Sequence, residues 1–511
     1  MNRRAFMMAA WVGALATIAG RAGWAVPKEG GEPDATPFSW DVLNERAKAV
    51  AAKPFDAQNY KAPFEVVDLD YDRYRFIHFN PKKAVWYEDP LNYRLQLFHL
   101  GYIYKEPVDI FVVENGEAAR IPYKRDFYEF GPAEKRVNVP EQGAYSGFRV
   151  HAPIYKPDDF SEFLVFQGAS YFRSKATGQT YGLSARGLAL DTAQGGVEEF
   201  PSFRSFWVEK PKAGDKTIIV YALLDSTSVS GAYRFVTTPD GNTMMDIECQ
   251  IYPRQTLNHA GIAPFSSMFF FGPSDHSNTD DFRPRVHDSE GLSILTGSGD
   301  WIWRPLVTAP HILYSVFLDN SPGGFGLIQR ERDFVKYEDI GAKYENRPSV
   351  WVEPLSDWGE GSVDLAELPT DQEYSDNIVA FWRPKEPLQA GQSYNYRYRL
   401  TWLAQAPVPA NLGKVMQTRT GQGLVQNSRF LLVDFAGGDI YADADEEHFD
   451  YDVRVSAGYI KAFSMTPHPV IDGKRVGIEY YPDGDKVADL SFQIRRQGVP
   501  ISERWVYRWA P

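Results

Sequence analysis

The residues best suited to chemistry crowd into the middle of the chain, from about 270 to 385. In order they are His287-Asp288-Ser289-Glu290, Asp300-Trp301-Ile302-Trp303-Arg304, Arg330, Tyr344-Glu345-Asn346-Arg347, Trp351, Trp358 and Asp371-Gln372-Glu373-Tyr374-Ser375-Asp376. Trp and Tyr rings stack on the apolar faces of sugars, while Arg, Asp, Glu and Asn bond the hydroxyl rims. Cleaving a glycosidic bond needs a proton donor at the leaving oxygen and, with inversion, a carboxylate that activates water. Acids are too abundant here for composition to select the pair. For any one of them a solvated turn or an arginine partner is the ordinary role. Trp301 and Trp303 are two apart and share one strand face, where core packing is the ordinary role.

Missing motifs narrow the chemistry further. There is no His-Glu-x-x-His, and none of the nine histidines pairs at metal-ligand spacing, so no metal is expected. No phosphate loop and no G-x-G-x-x-G occurs, and no cofactor is expected. Ser184 sits in Gly-Leu-Ser-Ala-Arg-Gly, one residue too long for a nucleophile elbow. The balance of 54 basic and 67 acidic residues, net −13, argues against a nucleic-acid partner and against a polybasic membrane patch. The single cysteine, Cys249, can form neither an internal disulfide nor a cysteine-based zinc site.

The elements that must position these residues read as strands. Tyr93, Leu95 and Leu97 alternate with polar residues, as do Met245, Ile247, Cys249 and Ile251, and Tyr394 through Trp402. Such alternation puts one set of side chains in a core and the other toward solvent. It places Cys249 on an apolar face, where a buried, inert thiol is expected. Thr217–Leu224 is continuously apolar, as in a strand covered on both faces. One helix is expected from a Ser39 cap to about Ala52, with Leu43, Ala47 and Val50 inward.

The expected class is all-β. Residues 1–25 read as an export signal, with Arg3-Arg4 followed by a short apolar run from Ala9 to Gly20. The arginine pair with Ala5, Phe6 and Met7 resembles a twin-arginine signal, whose cargo crosses folded. Residues 26–38 are rich in Pro, Gly, Glu and Lys and are expected to be flexible. A large β-sandwich is expected over 39–405, a linker over 406–425 around Ala406-Pro407-Val408-Pro409, and a small β-sandwich over 426–511. No stretch after the signal is apolar and long enough to span a bilayer, so no stable membrane insertion is expected.

Several long runs resemble the osmoregulated periplasmic glucan biosynthesis proteins G and D. They include Phe166–Arg173, Tyr181–Thr192, Glu198–Pro201, Tyr221–Ser226 and His287-Asp288-Ser289. Trp301–Pro305, Gly324–Arg330 and Asp376–Ala380 extend the resemblance over essentially the whole chain after the signal. The twin-arginine-like start points to the D branch. The resemblance implies a galactose-mutarotase-like N-terminal sandwich and an immunoglobulin-like C-terminal one. It implies a periplasmic role in shaping the glucose backbone of these glucans, with β-1,2-glucan as ligand and the membrane glucan synthase as a possible partner. Its members look like inverting, endo-acting β-1,2-glucan hydrolases. Carried over by position, Asp376 is the general acid and Asp288 the general base, with Tyr344 and Arg347 lining the cleft. Glu373 is expected to hold the Asp376 proton or bind sugar. Trp301, Trp303, Arg304, Arg330, Trp351 and Trp358 are expected to contribute to the glucan groove. A transglycosylase using the same acids and a non-catalytic glucan-binding or assembly factor stand as alternatives.

Overall fold

The computed structural model describes residues 35–131, 139–276, 280–442 and 449–511. The expected export signal, residues 1–25, and residues 26–34 lie outside the described residues. Two large antiparallel-rich sheets dominate. The first has 16 strands and follows the order Asp109–Glu114, Ser202–Glu209, Ile218–Asp225, Val229–Asp240, Asn242–Pro253, Tyr394–Leu403, Ser349–Pro354, Gly324–Ile328, Gly291–Leu295 and Trp301–Pro305 along its central run. The second has 10 strands, among them Glu360–Glu367, Ile378–Pro384, Ala260–Ser267, Ser184–Arg186 and Tyr171–Ser174 as successive neighbours. Their facing sides enclose one continuous apolar core. The all-β expectation is met.

Period-two patterning built these strands. Cys249 pairs across the sheet with Tyr233 on one side and Tyr396 on the other. Its thiol is buried, and burial pushes its pKa up to about 12, so it is a core residue rather than a nucleophile. Ile218–Asp225 is buried almost throughout. The helix Trp40–Ala51 starts where expected, with the Ser39 hydroxyl accepting from the Val42 amide at 3.2 Å. Leu43 and Ala47 are its buried residues, packed over the first sheet.

Two boundaries move. Thr36 and Pro37 pair with Ala118 and Glu117, and Phe38 stacks on Trp207, so the end of the expected flexible stretch 26–38 is ordered structure. The expected linker 406–425 contains the strand Lys414–Gln422. Its inward residues Val415 and Thr418 are buried, while Arg419 pairs outward with Asp434 at 2.7 Å. The many polar side chains on that outward face hid the strand in the sequence.

The C-terminal strands form a four-stranded sheet, Lys414–Gln422, Arg429–Ala436, Gly473–Tyr481 and Tyr459–Pro467. It encloses a second core against Phe449–Val455, Ala488–Arg496 and Arg504–Trp509. Those three strands are continuous with the first large sheet, because Ile302 and Trp303 pair in parallel with Arg504 and Trp505. The C-terminal sandwich is therefore joined to the large one through a shared sheet. Among the described residues no helix is long and apolar enough to cross a membrane.

Candidate active site

Asp288 and Asp376 come from different sheets. Asp288 lies just before Gly291–Leu295, and its amide donates to the Met268 carbonyl at 2.8 Å. Gln329 follows the neighbouring strand, and Tyr344 and Arg347 precede the strand after that. The adjacent ends of three strands in the first sheet thus supply Asp288 and its supports. Asp376 immediately precedes Asn377 and the strand Ile378–Pro384 of the second sheet. Beyond the adjoining strand Ala260–Ser267, the strands Ser184–Arg186 and Tyr171–Ser174 of the same sheet supply Arg186, Tyr171 and Arg173.

Asn377 locks the Asp376 turn. Its amide donates to the Ser267 carbonyl at 3.0 Å. Its side chain donates to the Phe269 and Leu368 carbonyls at 2.9 and 3.1 Å and accepts from the Phe269 amide at 2.9 Å. An amide side chain with its hydrogen-bonding atoms engaged in this way holds the backbone on both sides.

On the opposite side Gln329 is the hub. Fully buried, it donates from Nε2 to the carbonyls of His287 and Tyr344, both at 3.1 Å. That orientation turns Oε1 to His287 Nδ1 at 2.9 Å. Burial and the Arg285 charge push the His287 pKa down to about 3, so its imidazole is neutral and Nδ1 carries the proton. The ring stacks on Phe269 with centroids 5.4 Å apart. One glutamine thereby ties the Asp288 segment to the Tyr344–Arg347 segment.

Arg347 donates directly to Asp288 and lies over the Tyr344 ring, 4.5 Å from its centroid. Gly182 makes room for it: a Cβ there would stand 3.1 Å from Arg347 Cβ and 3.3 Å from Pro348 Cδ. The carboxylates are also electrically linked. Asp288 is 5 % exposed, and burial raises its pKa to about 6. Arg347 and Arg173 act downward on it, and the Asp376 charge upward. Burial also raises Asp376, against Arg173, Arg186 and Arg347. Asp376 presents surface to solvent, yet protein crowds its carboxyl closely enough to desolvate it. Crowding governs its protonation, and exposure governs what can reach it.

The structure thus brings together Asp288, Asp376, Arg347 and Tyr344. Glu373 is nearby but does not hold the Asp376 proton. It pairs with Arg283 at 2.6 Å, in a cluster that also contains Asp281 and Asp339. His287, being neutral, does not keep Asp288 ionised; Arg347 has that role. The remaining expected groove residues are elsewhere. Trp301 stacks on Trp351 at 5.4 Å, and both belong with Trp303 to the second core. Arg330 lies 3.6 Å over the Trp303 ring and pairs with Glu503 at 2.6 Å. Arg304 pairs with Glu367 at 2.7 Å in full burial. Trp358 packs beside Trp382 and Tyr398 in the main core. These six residues hold the two sandwiches together or fill their cores, because flat rings and guanidinium stems are as useful in dry packing as at a sugar.

The reading of individual residues missed Gln329, Asn377, Tyr171, Arg173 and Arg186. All five lie within the runs Phe166–Arg173, Tyr181–Thr192, Gly324–Arg330 and Asp376–Ala380, which marked the right segments without assigning roles.

The molecule is thus a pair of fused β-sandwiches with two carboxylates, contributed by facing sheets, whose pKa values burial raises. The family described as "Periplasmic glucan biosynthesis protein, MdoG" matches residues 38–509. The chain belongs to that family. It is 43 % identical over its full length, and the relative's, to "Glucans biosynthesis protein G" of Bradyrhizobium diazoefficiens. A protein of the same name from Vibrio cholerae is 42 % identical over 92 % of this chain and 87 % of its own. Both relatives carry the G name, whereas the signal segment pointed to the D branch. Among solved structures, a Synechocystis protein covers 51 % of this chain and 93 % of its own at 10 % identity, with a TM-score of 0.25, too low to add to the argument.

Proposed function

We propose that the protein is an inverting, endo-acting β-1,2-glucan hydrolase that sizes the glucan backbone, exported to the periplasm by the twin-arginine route. The observation that carries the catalytic part is that Asp288 and Asp376, from facing sheets, are each raised in pKa by desolvation, with the Asp376 charge acting on Asp288. Paired carboxyls with displaced pKa values are what acid–base cleavage of a glycosidic bond requires. Asp376, reachable and crowded, donates its proton to the leaving glycosidic oxygen. Asp288, held by Arg347, takes a proton from the attacking water, whose oxygen joins the anomeric carbon from the opposite face. The glycosidic C–O bond breaks, and the new reducing end has the α configuration.

The low exposure of Asp288 favours one second reading. Little bulk water reaches the base, so a sugar hydroxyl in water's place gives transglycosylation with the same two acids. Incubation of purified protein with linear β-1,2-glucan tests both, with product sizes followed by chromatography. Shorter chains alone support hydrolysis. Longer, branched or cyclic products support transfer. No change in the glucan contradicts both and leaves a non-catalytic binding or assembly role, for which docking to the membrane glucan synthase is the natural setting.

A further inference from the structure

A groove of about 430 Å³ lies beside the turn that leads into the strand Tyr171–Ser174. Gln167, Gly168 and Ala169 form part of its wall, and Tyr171, at the end of the same turn, feels the Asp376 charge. Gly168, at φ +80°, lets the Tyr104 ring lie against the backbone; a Cβ there would stand 3.0 Å from that ring. Phe200 is 46 % exposed and Ile103 67 % exposed, and both line the groove. On its other side Phe200 lies against Arg186, 5.3 Å from ring centroid to guanidinium, and Arg186 continues onto the Tyr171 ring at 5.0 Å. One contiguous stack therefore runs from the groove to Tyr171, within range of the Asp376 charge.

The charge pattern says what fits. The charged side chains lining the groove are Lys105, Glu106 and Arg204. Lys105 pairs with Asp68 at 2.7 Å, and Arg204 pairs with Glu106. With these charges neutralised in pairs, the groove offers no site for an ion. It offers aromatic and aliphatic faces beside hydrogen-bonding groups. Gln167 donates inward to Tyr74 and Ser146, both at 3.0 Å, which leaves its carbonyl oxygen to accept from a ligand. Apolar faces rimmed by such groups suit neutral sugar rings, and the volume is in the range of small-ligand sites.

We infer that this groove is a distal subsite for the glucan chain, binding sugar rings beyond the cleavage point and so favouring long substrates over short ones. The inference rests on the glucan reading of the active site. The test measures binding by calorimetry, in an Asp376→Asn background that prevents turnover, for β-1,2-glucans of graded length. Affinity is expected to rise with chain length in that background. Adding Phe200→Ala, or Ile103→Asp at a position remote from Arg186, should weaken long-chain binding by about tenfold, a lost stacking platform, and flatten the length dependence. Circular dichroism and melting temperature confirm that both variants are folded. Undiminished long-chain affinity in the folded variants overturns the subsite while leaving the glucan reading intact. Absence of glucan binding in the Asp376→Asn background overturns the glucan reading and the subsite with it.

Discussion

Two regions of this protein are written in the same alphabet of aromatics, arginines and acids, and they do opposite things. In the seam between the sandwiches, Arg330 lies on Trp303 and bonds Glu503, and Arg304 bonds Glu367. These charges are buried and matched one to one. In the site, Asp288 and Asp376 face a shared set of arginines, and desolvation outweighs them, so both acids are raised. A matched buried pair is a fixed structural element, and removing one partner strands the other. Burial raises Glu367 too, but it is sealed against Arg304, whereas a raised carboxyl that solvent reaches, as at Asp376, can exchange a proton. The contrast lies in pairing and access, not in residue type.

The largest effect is expected at Asp376. Asp376→Asn should cut turnover of β-1,2-glucan by about 10²–10⁴, the range of general acid catalysis, with the fold retained. Reducing-end assays beside a thermal melt check both halves. In the seam the result should reverse. Arg330→Ala leaves the fully buried Glu503 without its partner and should cost about 3–5 kcal/mol in denaturant unfolding, with little change in turnover per folded molecule.

At Asp288 the expected effect depends on pH. Its pKa is raised in the folded state, from 3.8 to about 6, so ionising it disfavours the fold. That penalty is absent below pH 3.8, grows between the two values and is complete above 6. Asp288→Asn removes it, and should stabilise the protein at pH 7.5 by up to about 3 kcal/mol, with the gain fading near pH 4. Unfolding measured at both pH values checks this. The same ionisation sets the acid limb of kcat/KM near pH 6, and Arg347→Gln, by removing a cation that favours ionised Asp288, should move that limb upward. The smallest effect is expected at Gly182→Ala. The new Cβ presses on Arg347 and Pro348, so kcat/KM should fall severalfold, a displacement worth about 1 kcal/mol.

The strands were legible because alternation survives in any well-ordered sheet, as at Met245–Ile251. Lys414–Gln422 was not, because Gln417 and Arg419 face outward and the inward residues include Thr418, which accepts from Trp505 Nε1 at 3.0 Å. Asp288, Asp376, Tyr344 and Arg347 were placed by resemblance and converge in the structure. Trp301, Trp303, Trp351 and Trp358 were misread for a physical reason: a tryptophan's affinity for a sugar face and for a dry core comes from the same ring. Only the surrounding strands decide which it meets. Gln329 and Asn377 were overlooked because neutral amides announce no chemistry, and their effect depends on carbonyls far away in sequence.

On the proposed mechanism, Asp376 and Asp288 act as acid and base on opposite faces of the scissile bond. Proton NMR of the first product formed from linear β-1,2-glucan tests it directly. The new reducing end is expected to appear as the α-anomer and only later to equilibrate. Initial appearance of the β-anomer, or α-anomer production undiminished in Asp376→Asn, would contradict it.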